Sequence, residues 1–232
     1  MSTTIFIPGD AAARAVGADK VVVAIEREAS LRGIEITIVR NGSRGLLWLE
    51  PLIEVRTGHG RVAYGPVTVA DVAGLFEADF LNGGAHRLCH GPTRDIPYLA
   101  RQTRLTFSRC GVTDPLSLAD YRHYEGLKGL EKAVAMGPAE IVRTVTESGL
   151  RGRGGAGFPT GIKWKTVADA AGDRKYIICN ADEGDSGTFS DRMIMEGDPF
   201  VLIEGMTIAG IATGATKGYV YTRSEYPHAI KT

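Results

Sequence analysis

This 232-residue chain has no excess of charge of either sign, because 27 lysines and arginines balance 27 aspartates and glutamates. No overall field therefore draws it to nucleic acid or to a charged membrane surface. Long apolar runs are also missing, since none reaches the roughly 18 residues that a membrane helix needs. The first residues, MSTTIFIP, lack the basic and apolar parts of a secretion signal. We expect a cytoplasmic protein with no nucleic-acid partner and no membrane segment.

Cysteine is scarce as well. Cys89, Cys110 and Cys179 are few, far apart and without a CxxC pair, which argues against a disulfide framework and against a self-contained zinc or iron–sulfur site. His86 and His90 flank Cys89 closely, but no second cluster at ligand spacing accompanies them. They predict a surface loop with one semi-buried thiol, and no metal-binding residue is predicted.

The first eighty residues carry an α/β pattern. Residues 20–31 place apolar side chains at helical spacing, residues 34–39 alternate like a half-buried strand, and Thr68 is placed to cap a second helix. Further strands are predicted at 5–8, 46–55 and 61–64. The order strand, helix, three strands, helix predicts a thioredoxin-like domain over residues 1–82. Residues 83–113 show little periodicity and are predicted to be a linker.

A second α/β domain is predicted from residue 114 to residue 232. Helices are expected from Ser117 onward, over 138–149, 164–171 and 199–212, with a buried strand over 175–179 and another strand over 218–222. Strands so far apart in sequence favour parallel pairing.

A glycine-rich loop at 152–161 is the most informative stretch. Its five glycines free the backbone to bring several N–H groups together, and Arg153 and Lys163 add positive charge, which favours phosphate binding. The GxGxxG spacing at 152–157 matches the dinucleotide fingerprint, but a predicted helix rather than a strand precedes it. A Walker loop is excluded because no Ser or Thr follows Lys163. The alternative is a tight surface turn.

An acidic loop at 180–188 follows the predicted strand, at the end where open α/β sheets bind ligands. Asp182, Glu183 and Asp185 would repel a phosphate, so we expect them to accept hydrogen bonds from sugar hydroxyls. Asn180 can read the edge of a flavin or a base. A calcium loop is disfavoured because Gly184 falls where a ligand should be. A solvated acidic turn is the remaining alternative.

The two motifs, GRGGAGFPTGIKW at 152–164 and NADEGDSGTFSDR at 180–192, resemble the flavin-binding subunits of respiratory complex I and its relatives. Those relatives include the diaphorase subunits of NAD-reducing hydrogenases and of NAD-dependent formate dehydrogenases. The resemblance runs from about residue 121 to residue 226. The sequence NADEGDSG is most similar to the beta subunit of molybdenum- or tungsten-dependent formate dehydrogenases.

The resemblance implies that this domain binds FMN and NAD. It places Arg153 and Lys163 with the glycines at the FMN phosphate, Asn180 and its acidic neighbours at the ribityl chain and ring edge, and Phe158 on the adenine of NADH. The implied cofactor-binding set is Gly152, Arg153, Gly154, Gly155, Phe158, Lys163, Asn180, Asp182, Glu183 and Asp185. Asp185 and Ser186 stand where relatives usually carry Glu and Pro. No catalytic residue is assigned.

The front domain resembles the thioredoxin-like, two-iron ferredoxin that accompanies this family. Its equivalent stretch, residues 39–46, contains no cysteine, so a cluster in residues 1–80 is not expected and the domain is interpreted as a docking module. The family's 4Fe-4S cluster is expected only beyond residue 232. We therefore expect residues 1–232 alone to hold FMN weakly or not at all.

The function predicted from this resemblance is that of a diaphorase subunit. It would transfer a hydride between NAD(H) and FMN and electrons between FMN and iron–sulfur clusters in an NAD-dependent formate dehydrogenase complex. Its partners would be iron–sulfur-carrying and formate-oxidising subunits. One alternative is the diaphorase subunit of an NAD-reducing hydrogenase or of a complex I-like enzyme, and another is a non-catalytic nucleotide-binding or assembly module. The sequence does not separate NAD from NADP.

Overall fold

The computed structural model describes residues 2–185 and 187–232, and it divides the chain into two compact units. The first unit comprises Met1–Ser117, Met193–Asp198 and Lys231–Thr232. The second comprises Leu118–Arg192 and Pro199–Ile230. Among the described helices, none combines the length and the apolar character that a bilayer span requires.

The first unit is built on one mixed sheet. Its strands are β1 (Thr3–Phe6), β2 (Ile36–Val39), β3 (Ile53–Thr57), β4 (Gly60–Tyr64) and β5 (Cys89–Pro92), in the order β2-β1-β3-β4-β5. Strand β1 is parallel to β2 and antiparallel to β3, and β3-β4 and β4-β5 are antiparallel pairs. A β-α-β unit followed by an antiparallel hairpin is the thioredoxin-like arrangement, so this fold prediction is confirmed.

Helices α1 (Ala11–Ala15), α2 (Ala18–Leu31), α3 (Val72–Glu77) and α4 (Pro97–Ala100) complete the first unit. Helix α2 buries Val21, Ile25 and Ala29 in the main core cluster, as their helical spacing predicts. Thr68 begins the next helical segment, where the carboxylate of Asp71 accepts hydrogen bonds from the N–H and the hydroxyl of Thr68. The first turn after it, Val69–Asp71, is a 3-10 helix.

Two sequence predictions for the first unit need correction. Residues 46–55 do not form one strand, because a 3-10 helix spans Leu47–Leu49 and β3 begins only at Ile53. Pro51 lacks the N–H that a strand ladder needs at this point. Residues 83–113, predicted to be a linker, contain β5 and α4 and belong to the first unit. The sequence does not predict β5, because this strand contains Gly91 and Pro92 and has no alternation of apolar and polar residues.

The second unit contains a pair of parallel strands and several helices. The helices are α5 (Leu118–His123), α6 (Lys128–Met136), α7 (Pro138–Glu147), α8 (Thr160–Asp169), α10 (Pro199–Thr213) and α11 (Pro227–Lys231). Helix α9 (Ser190–Gly197) begins in this unit and ends in the first. The core of the second unit contains Ala133, Ile141, Val142 and Ala212, and Trp164 packs against them. Strands β6 (Tyr176–Ala181) and β7 (Lys217–Thr222) pair in parallel, as predicted.

Strand β6 differs from its prediction in length and in burial. It continues through Asn180 to Ala181, and only Ala181 is fully buried. The strand is half covered because α10 packs on one face of the pair, and Ile178 on the opposite face is 67% exposed. The predicted end of α7 is confirmed, since Gly149 follows it with a φ of 68°. Helices α9 and α11 have no counterpart among the predicted helices.

Candidate functional site

The glycine-rich loop is closed at its base by backbone pairing. The N–H of Gly152 donates to the carbonyl of Phe158 at 2.9 Å, and the N–H of Thr160 donates to the carbonyl of Leu150 at 2.9 Å. Helix α8 begins directly after this closure. Gly155 and Gly157 have φ values of 99° and 61°, which side chains other than glycine rarely adopt. The loop therefore depends on glycine for its turns.

The backbone amides inside this loop are available to a ligand. In the described part of the chain, the N–H groups of residues 153–157 donate to no protein acceptor. A Cβ placed on Gly154, Gly155 or Gly157 would meet nothing within 4 Å, so the space beside the loop is open. Unpaired N–H groups at the start of a helix form the kind of surface that binds phosphate.

Two cations flank these amides. Arg153 and Lys163 are both exposed, and neither forms an ion pair with any residue that the structure describes. Lys163 lies in the first turn of α8, where the helix dipole adds favourable partial charge for an anion. Arg151, which is absent from the predicted set, donates from Nη1 to the carbonyl of Gly157 at 2.9 Å. This hydrogen bond helps to hold the loop in shape, and the position of Arg151 directly before Gly152 of the predicted set is the sequence signal that points to it.

The two aromatic residues near the loop have different environments. Phe158 is 50% exposed and is free to contact a ligand, so its stacking role stays a prediction. Trp164 packs against the core of the second unit. The Trp164 ring is therefore part of the core rather than free to stack on a ligand.

The acidic loop lies at the carboxyl end of the parallel pair. Asn180 is exposed near the end of β6, and its Oδ1 accepts a hydrogen bond from the N–H of Asp182 at 3.2 Å. Ala181 pairs with Thr222, so β6 and β7 end at the same edge. Ligands of open α/β sheets bind at such an edge. Ser186 lies outside the described residues.

Glu183 is the most connected residue of this loop. Its Oε1 accepts hydrogen bonds from the hydroxyl of Ser190 at 3.1 Å and from the N–H of Asp191 at 3.0 Å. Its Oε2 accepts from the N–H of Arg192 and from the hydroxyl of Tyr226, both at 3.1 Å. The Glu183 carboxylate therefore caps the first turn of α9.

The contacts of Glu183 shift the pKa of its own carboxyl and those of two neighbouring side chains. Burial opposes the charge of Glu183, but hydrogen bonds from two backbone amides and two hydroxyls outweigh it and lower the pKa of this carboxyl. Burial, and then the Glu183 charge, raises the pKa of Asp191. Burial, and then its hydrogen bond to Glu183, raises the pKa of Tyr226. At neutral pH, Glu183 is thus an anion held by protein donors.

Two arginines lie close to Glu183 and its partners. Arg223 donates from Nη1 to the carbonyl of Glu183 at 2.7 Å, and its buried Nε has no hydrogen-bond acceptor among the residues that the structure describes. The guanidinium of Arg192 lies over the ring of Phe189 at 4.3 Å and over that of Tyr226 at 5.7 Å. Neither arginine belongs to the set predicted from the sequence, because each acts on a residue distant in the chain.

Connectivity predicts that the glycine-rich and acidic loops lie at one end of the second unit. Helix α8 leads through residues 170–175 into β6, and a helix joined to a strand by a short segment usually runs antiparallel to it. The start of α8 then lies at the same end as Ala181, where β6 finishes. Within the described residues, no hydrogen bond joins the two loops. Each loop presents its own set of groups to that end.

Metal-binding side chains are not clustered in the described ranges, where no group of three or more His, Cys, Asp and Glu residues is arranged to hold a metal ion. His90 bonds through Nε2 to the carbonyl of Gly65 at 2.8 Å. Burial raises the pKa of the Cys110 thiol to about 12, so this cysteine is an inert core residue at neutral pH.

Family membership is carried by the part of the chain that holds both loops. Residues 145–232 match the family model described as the Nuo51 FMN-binding domain. This segment belongs to that FMN-binding family. Every residue of the predicted cofactor-binding set lies inside the matched segment of the FMN-binding family, and so do Arg223 and Tyr226.

Individual relatives match part of their own length. The chain is 54% identical to the NADP-reducing hydrogenase subunit HndC of Solidesulfovibrio fructosivorans over 131 residues, which cover 56% of this chain and 26% of that protein. It is 54% identical to an NADH-quinone oxidoreductase F-type subunit of Rhizobium meliloti over 121 residues, covering 52% and 29%. A solved NAD+-reducing NiFe-hydrogenase in the air-oxidized state aligns over 99% of this chain and 39% of that chain, with 23% identity and a TM-score of 0.45. The chain spans between a quarter and a third of the length of these two curated relatives.

Proposed function

We propose that the glycine-rich and acidic loops form part of the FMN- and NAD-binding surface of a diaphorase subunit. The observation that carries this proposal is the row of N–H groups at 153–157, which meet no protein acceptor in the described chain and lie in the loop that leads into α8. Exposed Arg153 and Lys163 flank this row. The residues present therefore fit the phosphate end of FMN, which needs hydrogen-bond donors and positive charge.

Each predicted ligand is assigned one task, except Glu183, whose carboxylate already accepts four hydrogen bonds from the protein. Gly152, Gly154 and Gly155 let the backbone approach the phosphate, while Arg153 and Lys163 neutralise its charge. Asn180 and Asp182 accept hydrogen bonds from the ribityl chain, Asp185 contacts the dinucleotide, and Phe158 stacks on its adenine. FMN, when bound, exchanges a hydride with nicotinamide and single electrons with iron–sulfur clusters. The chain's own residues bind and orient it.

Flavin binding can be tested at Lys163. Changing Lys163→Ala removes a phosphate-neutralising charge, so the dissociation constant for FMN should rise at least about tenfold. Quenching of FMN fluorescence during titration with the isolated complex measures it, because residues 1–232 alone are expected to hold FMN weakly or not at all. Lys165→Ala is the matched control, because Lys165 lies on the same helix and pairs with Asp169.

Two outcomes would count against the proposal. An unchanged FMN affinity in Lys163→Ala would remove Lys163 from the site. A colourless protein that takes up no FMN at all, even within its isolated complex, would favour a non-catalytic assembly module.

For the complex itself, we propose an NAD-dependent formate dehydrogenase, with iron–sulfur-carrying and formate-oxidising partners in the cytoplasm. The acidic-loop sequence at 180–187 supports this assignment. The names of the two relatives support, equally well, a subunit of a hydrogenase or of a complex I-like enzyme. The complex should be isolated through a tag on this chain and assayed for NAD+ reduction. Formate-dependent reduction supports the first assignment, while reduction by hydrogen alone would replace it.

A further inference from the structure

The acidic loop contains three carboxylates in different states. Those of Asp182 and Asp185 accept no hydrogen bond from any residue that the structure describes, whereas the Glu183 carboxylate accepts four. A carboxylate offers about four acceptor positions. Glu183 thus has little capacity left for a ligand hydroxyl, although the family resemblance places it at the ribityl chain.

The backbone around Glu183 is held in an unfavourable conformation. Glu183 and Phe189 have φ values of 40° and 56°, in the left-handed region that residues other than glycine rarely adopt. Such conformations persist only where surrounding contacts impose them. Here the contacts are the four hydrogen bonds to the carboxylate and the bond from Arg223 to the Glu183 carbonyl.

Two of the donors come from the segment after β7. Tyr226 is 6% exposed and reaches Oε2, while Arg223 reaches the carbonyl. The loop after β6 and the segment after β7 are therefore tied together at the edge where both strands end. The stacked guanidinium of Arg192 covers the ring of Tyr226.

We propose that Glu183, Tyr226 and Arg223 form a clasp, in which Glu183 is a positioning residue that orients Asn180 and Asp182 toward FMN instead of contacting FMN itself. This inference rests on the proposed flavin-binding function. It assigns Tyr226 and Arg223 to the same site as residues that act through Glu183.

The clasp is tested with Tyr226→Phe, which removes one hydrogen bond and leaves the Glu183 charge unchanged. If Glu183 acts through the clasp, the dissociation constant for FMN should rise about two- to tenfold. Glu183→Gln should raise the dissociation constant too. In the double variant, the loss of FMN binding free energy should be smaller than the sum of the losses in the two single variants. Tyr221→Phe is the matched control, because Tyr221 is 64% exposed on β7, and its FMN affinity should not change.

Hydrogen exchange supplies a second readout that needs no flavin. The amides of Asp191 and Arg192 bond to Glu183, so their exchange should accelerate at least about fivefold in Tyr226→Phe and in Glu183→Gln. Unfolding followed by Trp164 fluorescence would show whether the unit as a whole is weakened. Exchange should change more at residues 182–192 than across α7.

The outcomes separate the two proposals. FMN affinity that falls in Glu183→Gln but is unchanged in Tyr226→Phe would make Glu183 a direct ligand and overturn the clasp. Exchange that is unchanged at residues 182–192 in both variants would overturn it as well. If the parent protein takes up no FMN even within its isolated complex, the flavin proposal fails, and the exchange measurement alone decides whether the clasp exists.

Discussion

At the scale of single residues, surroundings decide what a carboxylate does. Glu54 is buried, and its carboxylate accepts hydrogen bonds from Nε and Nη2 of Arg44 at 2.6 and 2.9 Å. Glu50 is also buried, but its hydrogen-bond donors are the hydroxyl of Ser43 at 2.6 Å and the N–H of Leu52 at 2.9 Å. Burial therefore dominates and raises the pKa of Glu50 from 4.5 to about 7.

This raised pKa predicts how stability depends on pH. Between pH 4.5 and pH 7 the folded state holds a proton on Glu50 that the unfolded state has lost, so the free energy of unfolding falls as pH rises. The full effect is about 3 kcal/mol. Glu50→Gln cannot ionise, so its stability relative to the parent should grow between about pH 5 and pH 8.

Urea unfolding can measure this in the first unit alone. The chain has two tryptophans, Trp48 in the first unit and Trp164 in the second. In a Trp164→Phe background, fluorescence reports on the first unit. Parallel pH profiles for Glu50→Gln and its parent would refute the expectation.

At the scale of elements, close packing of α7 and α8 depends on one glycine. A Cβ placed on Gly161 would lie 2.2 Å from Oγ1 and 2.6 Å from Cα of Thr146. The sequence pattern groups Gly161 with the phosphate-binding glycines, but the structure assigns it to helix contact. The loop glycines whose surroundings are open are Gly154, Gly155 and Gly157.

Gly161→Ala should therefore destabilise the second unit by about 1–3 kcal/mol, because the added methyl group must push the two helices apart. Trp164 fluorescence in a Trp48→Phe background reports the unfolding of this unit. Gly154→Ala is the control, since its Cβ meets nothing within 4 Å and its φ is not positive. Equal free energies of unfolding for the two variants would show that the two helices accommodate the added methyl group without a loss of stability.

Elements also show how far the sequence predicts the fold. Helix α2 and strand β2 are predictable because their apolar periodicity is local. Strand β5 is not, because pairing with β4 rather than its own residues defines it. Within the site, the glycine-rich loop is evident from composition. The engagement of Glu183 is not, since the Tyr226 hydroxyl that binds it lies 43 residues away.

At the scale of the whole molecule, one face of the β6–β7 pair is open to solvent. Tyr176 and Ile178 of β6 share this face with Tyr219 and Tyr221 of β7, and each is between 45% and 67% exposed. Parallel sheets are normally covered on both faces. An apolar patch of this kind binds hydrophobic dyes.

We expect the chain on its own to enhance the fluorescence of the dye ANS, and Ile178→Lys to reduce that signal by about half, because it places a charge in the patch. Leu105→Lys is the control, since Leu105 is 82% exposed but lies in the first unit. An equal signal in both variants would locate the dye elsewhere.

The path of the chain between its two units limits how the protein can be divided. The first unit includes Met193–Asp198 as well as the first 117 residues, and within it Asp198 pairs with Arg109 at 2.8 Å. A cut after Ser117 would separate this pair and leave Asp198 without its cation. The first unit therefore cannot be exchanged as one continuous segment of the chain. A chimaera that replaces residues 1–117 must also replace residues 193–198.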